Sequence, residues 1–400
     1  MISKPGTLKL NAMPYVASFW LIMIIGNVLP FYTNQPVPLG INSITAALLT
    51  IPLVSRTNGF NLDRHCLVAI YIFLVIFSVG MLRTSDITYA VLKIDSAILT
   101  PLLLALLATE CIKNHGVTAT CKAMCWALVG LLMLTIVYKL HFGFFDRTVR
   151  FFLNGPIVFS WAMGVLAILS LHLGATENRK LYYLFFAMAL LAVFWSMSKG
   201  PLLALFATLT LYFVNNLTNK KILAAFSVAV TIIAATVYLL KDELLSSRYM
   251  ALIRFSNGHD VDQGSVGSRM GMWAESIDIA YQNPVLGVGL GNWQFHTNSG
   301  FIYPHNFALE LASEMGIIVA FCVILIMVIA TWKIRPHPFY PVVLFLISCL
   351  LFSGDVTYLR YPLAFLIAAY STRHLLQLRQ VPDIDFSSTS SSSIKPYVSS

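Results

Sequence analysis

His305 stands between Pro304 and Asn306 at the head of an apolar run, and Glu310 and Glu314 follow at intervals of four residues. Proline favours the first turn of a helix, so this spacing predicts a helix beginning near His305. An imidazole at such an end is held neutral by the helix dipole. In that form it can accept a hydrogen bond or a proton from a hydroxyl group. The same helix end attracts an anion, phosphate above all. Residues four apart share a helix face, which groups Asn306, Glu310 and Glu314, any of which could orient the histidine. Spacing alone also permits a plainer reading, a histidine at a helix start with Asn306 as a local hydrogen-bonding group.

The cations that would accompany such a group are few. Arg147, Arg150 and Arg269 are the candidates for binding a diphosphate, which needs at least two fixed cations and suits the bidentate guanidinium. Arg147 equally fits a side chain reaching for lipid headgroups. Arg150 abuts the turn Asn154-Gly155-Pro156 that opens the next apolar run. Lys199 lies between two apolar runs with few polar neighbours, which fits a phosphate contact. Arg360 reads as a structural pair with Asp355 or as a substrate contact. Lys93 and Asp95 sit inside an apolar run, too close to face each other, so each needs a partner elsewhere. Gly287, Gly289 and Gly291 lack the spacing and the strand–helix setting of a dinucleotide loop. They read as a tight turn that returns the chain to the membrane surface.

The elements that must position these groups are membrane helices. The 400 residues are 58% hydrophobic and 11% charged, whereas soluble domains carry about 25% charged residues. A net charge of +9 in such a chain reports topology and lipid headgroups, not nucleic acid. A span takes about 20 apolar residues. The pattern predicts an all-α polytopic protein with spans at 13–31, 37–54, 66–82, 91–109, 119–139, 156–173, 181–197, 200–217, 221–240, 307–332, 338–353 and 361–377. The first is read as a membrane helix and not a cleaved signal, since no small-residue cleavage site follows it. The division is therefore membrane helices over 1–240, a large extramembrane segment over 241–306, membrane helices over 307–380 and a Ser-rich disordered tail over 381–400. Within 241–306, Asp260 and Asp262 hint at a calcium loop, but its twelfth position is Gly271 and not Glu. From Arg269 to Ala280 the pattern is helical and sets Arg269 and Trp273 one turn apart. All six cysteines adjoin apolar runs and read as reduced packing residues.

Short-loop charge orients the bundle. Lys4, Lys9, Arg56, Arg64, Arg179, Lys180, Lys220, Lys221, Lys333, Arg335, Arg373 and Arg379 fall on one face, which the positive-inside rule makes cytoplasmic. Both termini are then inside. The residues with chemical potential collect at the opposite end: Arg147, Arg150, Lys199, the interval 241–306, Asp355 and Arg360. A secondary transporter is the reading from another class, since broken helices and buried charges suit it. The lack of an internal repeat and the one-sided placement of the ionisable groups favour an enzyme.

The stretch Gly267, Arg269, Trp273, Ala274, then Asn283-Pro284 through Gly291, then His305-Asn306, Glu314 and Gly316 resembles the O-antigen ligase and polymerase superfamily of bacterial membrane glycosyltransferases. Arg150 with Asn154-Gly155-Pro156, and Ser198-Lys199-Gly200, match it more weakly; the family often has Arg where Lys199 stands. The resemblance implies a C-type glycosyltransferase fold in the bacterial inner membrane, with one large periplasmic loop and a periplasmic site. It implies a donor glycan on undecaprenyl diphosphate and, for the ligase branch, a lipid A–core sugar hydroxyl as acceptor, with inversion and without cofactor or metal. Arg269, Arg150 or Arg147, and Lys199 would hold the diphosphate. His305 would be a base or a positioning group. Trp273, Asn306, Glu314 and Arg360 would line the substrate site. The His305-Asn306 spacing to Gly316 is similar to the ligase branch, although Val319 departs from its usual small or polar residue. The polymerase of the same superfamily, with a second lipid-linked repeat as acceptor, is the nearest rival.

Overall fold

The computed structural model describes residues 12–21, 41–54, 62–146, 151–152, 155–216, 223, 227, 231 and 267–377. Arg147 and Arg150 lie outside them. So do Asp260 and Asp262, most of the span expected at 221–240, and the Ser-rich tail. Among the described residues every regular element is helical. In chain order these are α1 (13–21), α2 (Ile41–Val54), α3 (Arg64–Gly80), α4 (Ile87–Ile94), α5 (Thr100–His115), α6 (Val117–Phe142), α7 (Pro156–Glu177), α8 (Lys180–Trp195) and α9 (Lys199–Val214). There follow α10 (Ser268–Gln282), α11 (Phe307–Met315), α12 (Ile317–Lys333), α13 (Tyr340–Ser353) and α14 (Arg360–Gln377).

The helices begin where the sequence supplies caps. Asp63 and Asp86 accept hydrogen bonds from the backbone N–H groups of His65 and Tyr89, opening α3 and α4. Pro101, Pro156 and Pro341 stand in first turns, where a missing N–H costs nothing. Four continuous helices are long and apolar enough to cross a bilayer: Arg64–Arg83, Ile87–His115, Val117–Phe142 and Pro156–Glu177. At 1.5 Å per residue, about 20 residues cover the roughly 30 Å hydrocarbon core. Helices α8, α9, α12 and α13 are apolar but run only 14 to 17 residues.

Burial sorts the helices. The most apolar window of α7 is 89% buried within the protein, that of α3 only 22%. So α7 is the axis, packed against α6, α8, α9 and α13, and α3 stands at the periphery. Helices α14, α5 and α2 form a second layer. Five cysteines are buried as expected, but Cys322 on α12 is exposed.

Two expected spans differ from the structure. The run expected at 91–109 starts earlier, at Ile87, and contains a π-helical turn over Asp95–Leu99. The run expected at 307–332 breaks into α11 and α12 at Gly316. There φ is +93°, and a Cβ would sit 2.4 Å from the Val285 carbonyl oxygen. The crossing chain takes the first N–H of α12, Ile317 donating to the Pro284 carbonyl at 2.9 Å.

Candidate active site

The glycine-rich turn is built by backbone meeting backbone. Gly287 has φ +61°, and a Cβ there would lie 2.2 Å from the Glu314 carbonyl carbon. Through this approach the N–H groups of Val288 and Gly289 reach the carbonyls of Ser313 and Glu314, and that of Leu290 reaches Gly80, at 2.9–3.0 Å. The turn thus satisfies carbonyls left orphaned at the C-terminal ends of α11 and α3. Arg83 donates to the Gly287 carbonyl at 2.7 Å, and the Asn292 amide donates to the Arg83 carbonyl at 2.9 Å. The expected tight turn is present, and its function is to clamp α3 to α11.

Lys93 lies under that clamp, fully buried. Its ammonium contacts both Glu314 oxygens at 2.7 Å and Glu310 Oε1 at 2.5 Å. Glu314 also accepts from the N–H groups of Gly291 and Trp293 at 2.9 and 3.3 Å. Glu310 Oε2 accepts from the Val356 N–H at 2.9 Å. One lysine therefore ties α4, α11, the glycine turn and the short helix Val356–Leu359 together. Buried charges persist only when paired and hydrogen-bonded, and this group meets that condition. Asp95 finds its counter-charge in Arg360. Both ionisable groups flagged in that apolar run thus have partners on distant elements.

Two of the expected site residues, Arg269 and His305, meet at the C-terminal end of α13, and the helix that starts at a third, Lys199, approaches it. Arg269, on the first turn of α10, donates to the Phe352 carbonyl at 3.1 Å. The His305 ring hydrogen-bonds the Ser353 backbone. The first turn of α9 comes so close that a Cβ on Gly200 would be 2.8 Å from Ser353 Oγ, and next to it the Lys199 ammonium is buried. Cations at a helix C-terminus satisfy its last carbonyls and its dipole. The start of α9 is set by the turn Ser196–Ser198, in which Met197 takes φ +51° and the Ser196 hydroxyl pairs with Ser160.

His305 itself is held in an unusual conformation, φ +57°, which side chains with a Cβ rarely adopt. It precedes the helix by two residues. Asn306 is the cap, its side chain accepting from the N–H groups of Ala308 and Leu309 at 3.0 and 3.2 Å. One turn along α10 from Arg269, the Trp273 indole donates to the Pro304 carbonyl at 3.0 Å and pins the loop. Tyr303 packs edge-on against the imidazole, ring centres 4.5 Å apart. Burial, with the Arg269 charge adding to it, pushes the His305 pKa down to about 4 against the weaker pull of the Ser353 backbone. The ring is therefore neutral at physiological pH, and Nδ1 is buried without a hydrogen-bond partner. The sequence reading anticipated the neutral ring but assigned it to the helix dipole, whereas burial is the larger cause.

Arg360 opens α14 about 5 Å from the ring centres of Tyr358 and Tyr361. Asp355, a few residues before it, caps the short helix by accepting from the Tyr358 N–H and the Thr357 hydroxyl at 3.2 and 2.6 Å. Burial raises the Asp355 pKa. Tyr303, absent from the sequence reading, faces Asp355, Glu310, Tyr358 and Arg269, and burial with the nearby carboxylates raises its pKa strongly. A tyrosine two residues before a histidine carries no periodic signal in an aromatic-rich chain. Only the folded loop places it there.

The comparisons fall on this same region. Residues 184–324 match the family model described as O-Antigen ligase. The match takes in Lys199, Arg269, Trp273, His305, Asn306 and Glu314 and leaves out Arg360. No curated protein matches the chain. The segment from 184 to 324 thus matches the O-antigen ligase and polymerase superfamily, the same family that the sequence motifs resemble.

Proposed function

We propose that this protein is a membrane glycosyltransferase that moves a glycan from a polyprenyl diphosphate, undecaprenyl diphosphate in a bacterial inner membrane, to a sugar hydroxyl of lipid A–core. The observation that carries the proposal is the meeting of Arg269, the start of α9 at Lys199 and a neutral His305 at one end of the bundle, inside the segment that matches the family. Diphosphate leaves readily once its charge is neutralised, so electrostatic stabilisation supplies much of the catalysis. The acceptor oxygen forms a bond to the anomeric carbon, and the bond from that carbon to the diphosphate oxygen breaks with inversion. The electron pair goes to the diphosphate, held by Arg269 and Lys199, with Arg150 or Arg147 as a further cation. The acceptor proton passes to His305.

His305 works from a low basicity in the free protein. The arriving diphosphate brings negative charge beside the ring and offsets the Arg269 charge, both of which raise the pKa of an imidazole. The base then gains strength when the donor is in place. Trp273 and Asn306 act on His305 through the loop and cap that aim it, and Glu314 acts through Lys93. Arg360 stands where a second anionic or sugar group of the substrate would reach.

The test uses a strain that lacks this gene but keeps its polymerase. Lipopolysaccharide is resolved on a gel while lipid-linked polymer is assayed alongside. Loss of long lipopolysaccharide with accumulation of polymer on undecaprenyl diphosphate is the expected result. Lipopolysaccharide capped by a single repeat would make the protein a polymerase. Full activity of His305→Ala or Arg269→Ala, in a folded and inserted protein, would overturn the site assignment.

A further inference from the structure

At the end of the bundle away from His305, a cavity of about 230 Å³ opens between α3 and α12, with α14 and the π turn at Asp95–Leu99 as its floor. At the far end of α3, Gly80 packs against the last residue of α11, where a Cβ would touch the Met315 side chain at 3.3 Å, and α12 begins two residues further on. Toward the other end, His65 on α3 and Lys333 on α12 line the cavity, a wedge between the two helices. Its depth is apolar: Phe73, Ala97, Ile98, Met327, Leu366 and Ile367. The same two helices turn exposed apolar residues outward on their other faces, Leu67, Val68, Tyr71 and Ile72 on α3 and Leu325 and Val328 on α12. Such outer faces suit contact with lipid, which sets the wedge between two helices at the bilayer side of the bundle.

The mouth has a different chemistry. Lys333 and His65 line it, and Arg64 and Arg335 stand exposed beside them. Arg335 covers the exposed Trp332 ring. Tryptophan with lysine and arginine marks the headgroup level of a membrane. Among the described residues, the carboxylate at this mouth is Asp63, which is taken by Arg373 at 3.2 Å and by the His65 ring at 3.1 Å. Lys333 has no acidic partner among the described residues. An apolar slot beneath an unneutralised cation fits an acyl chain with a negative headgroup, and basic sites between membrane helices bind such lipids.

We propose that the wedge between α3 and α12 is a binding site for an anionic glycerophospholipid, one acyl chain lying between the helices and its phosphate at Lys333 and His65. The site goes beyond the transfer reaction and does not depend on it. The occupant fills a gap between two helices whose other ends, Gly80 and Gly316, hold the glycine turn. Binding therefore stabilises the fold from the far side of the bundle.

The test takes the purified full chain in detergent, with phosphatidylglycerol or phosphatidylcholine of identical acyl chains added back. Retained lipid is measured by mass spectrometry and thermal unfolding is followed in parallel. Phosphatidylglycerol is expected to be retained about fivefold better, the weight of one lysine near an anionic surface, and to raise Tm more. Lys333→Gln, at an exposed position, is expected to abolish the preference and Lys333→Arg to keep it. Ala330→Leu, which fills the wedge, is expected to remove retention of both lipids. Equal retention of the two headgroups overturns the proposal. So does a preference that survives Lys333→Gln, or displacement of the lipid by polyprenyl phosphate. If Ala330→Leu fails to fold, the Lys333 pair still decides.

Discussion

At His305 the same two features that hold the ring neutral, burial and the Arg269 charge, make it a weak base until substrate arrives. The acid limb of kcat/KM reports the free enzyme and that of kcat the donor complex. In a purified transfer assay the first is expected at about pH 4 and the second higher, because bound diphosphate restores basicity. Arg269→Gln removes one cause of the depression, so its kcat/KM limb moves upward while the rate falls. A wild-type limb near pH 6.5 in both parameters would remove His305 from the proton step. The stability sign follows the same shift: the folded pKa lies below the unfolded value, so this contribution is complete above about pH 6.5 and is lost as pH falls toward 4. The sequence made this residue legible because histidine, proline and asparagine stand together at an apolar boundary. It hid Tyr303 and the occupation of Glu314 by Lys93, whereas Asn306 caps the helix as the plainer reading of the spacing allowed.

Elements are joined here by contacts of two kinds, and each yields a test by thermal unfolding in detergent. Gly287→Ala is expected to cost about 1–3 kcal/mol for a strained backbone and about 1–3 kcal/mol more for pushing into the Glu314 backbone. Gly300 has φ +71° with open space around it, so Gly300→Ala carries only about 1–2 kcal/mol of strain. Equal losses would mean that the close approach of the turn to α11 contributes nothing. Lys93→Met strands Glu310 and Glu314 in the interior and is expected to destabilise by about 3–5 kcal/mol. Adding Glu310→Gln and Glu314→Gln should recover part of it. A triple variant no more stable than Lys93→Met would show that the charges are not what the lysine compensates. The demand for a partner at Lys93 was readable, since an ionised group in an apolar run cannot stand alone. The break at Gly316 was not, because the run 307–332 is mostly apolar and a single glycine does not by itself end a helix. What interrupts it is a chain segment about thirty residues earlier in sequence.

The whole molecule is polar at two ends for different reasons. One end gathers Arg269, His305, Asp355 and Arg360, half of them fully buried and all held by backbone or by neighbouring groups. The other gathers Arg64, Lys333 and Arg335, exposed around an apolar wedge. Among the described residues the helices lie near the places read from composition, four of them long and apolar enough to cross a bilayer, because about 20 apolar residues leave the chain few alternatives to a helix in lipid. The assignment of sides rests instead on loop charge, a bias of insertion that packing does not record. It is tested by labelling. On a background with Cys322, the exposed native cysteine, replaced by Ser, single cysteines are introduced at Ser299 and at Arg335. A membrane-impermeant maleimide applied to spheroplasts is expected to modify Ser299→Cys at once and Arg335→Cys only after the membrane is permeabilised. The reverse order would turn the bundle over and put the histidine end in the cytoplasm. A donor exposed at the outer face of the membrane would then be out of reach, and the ligase proposal would fall with the topology.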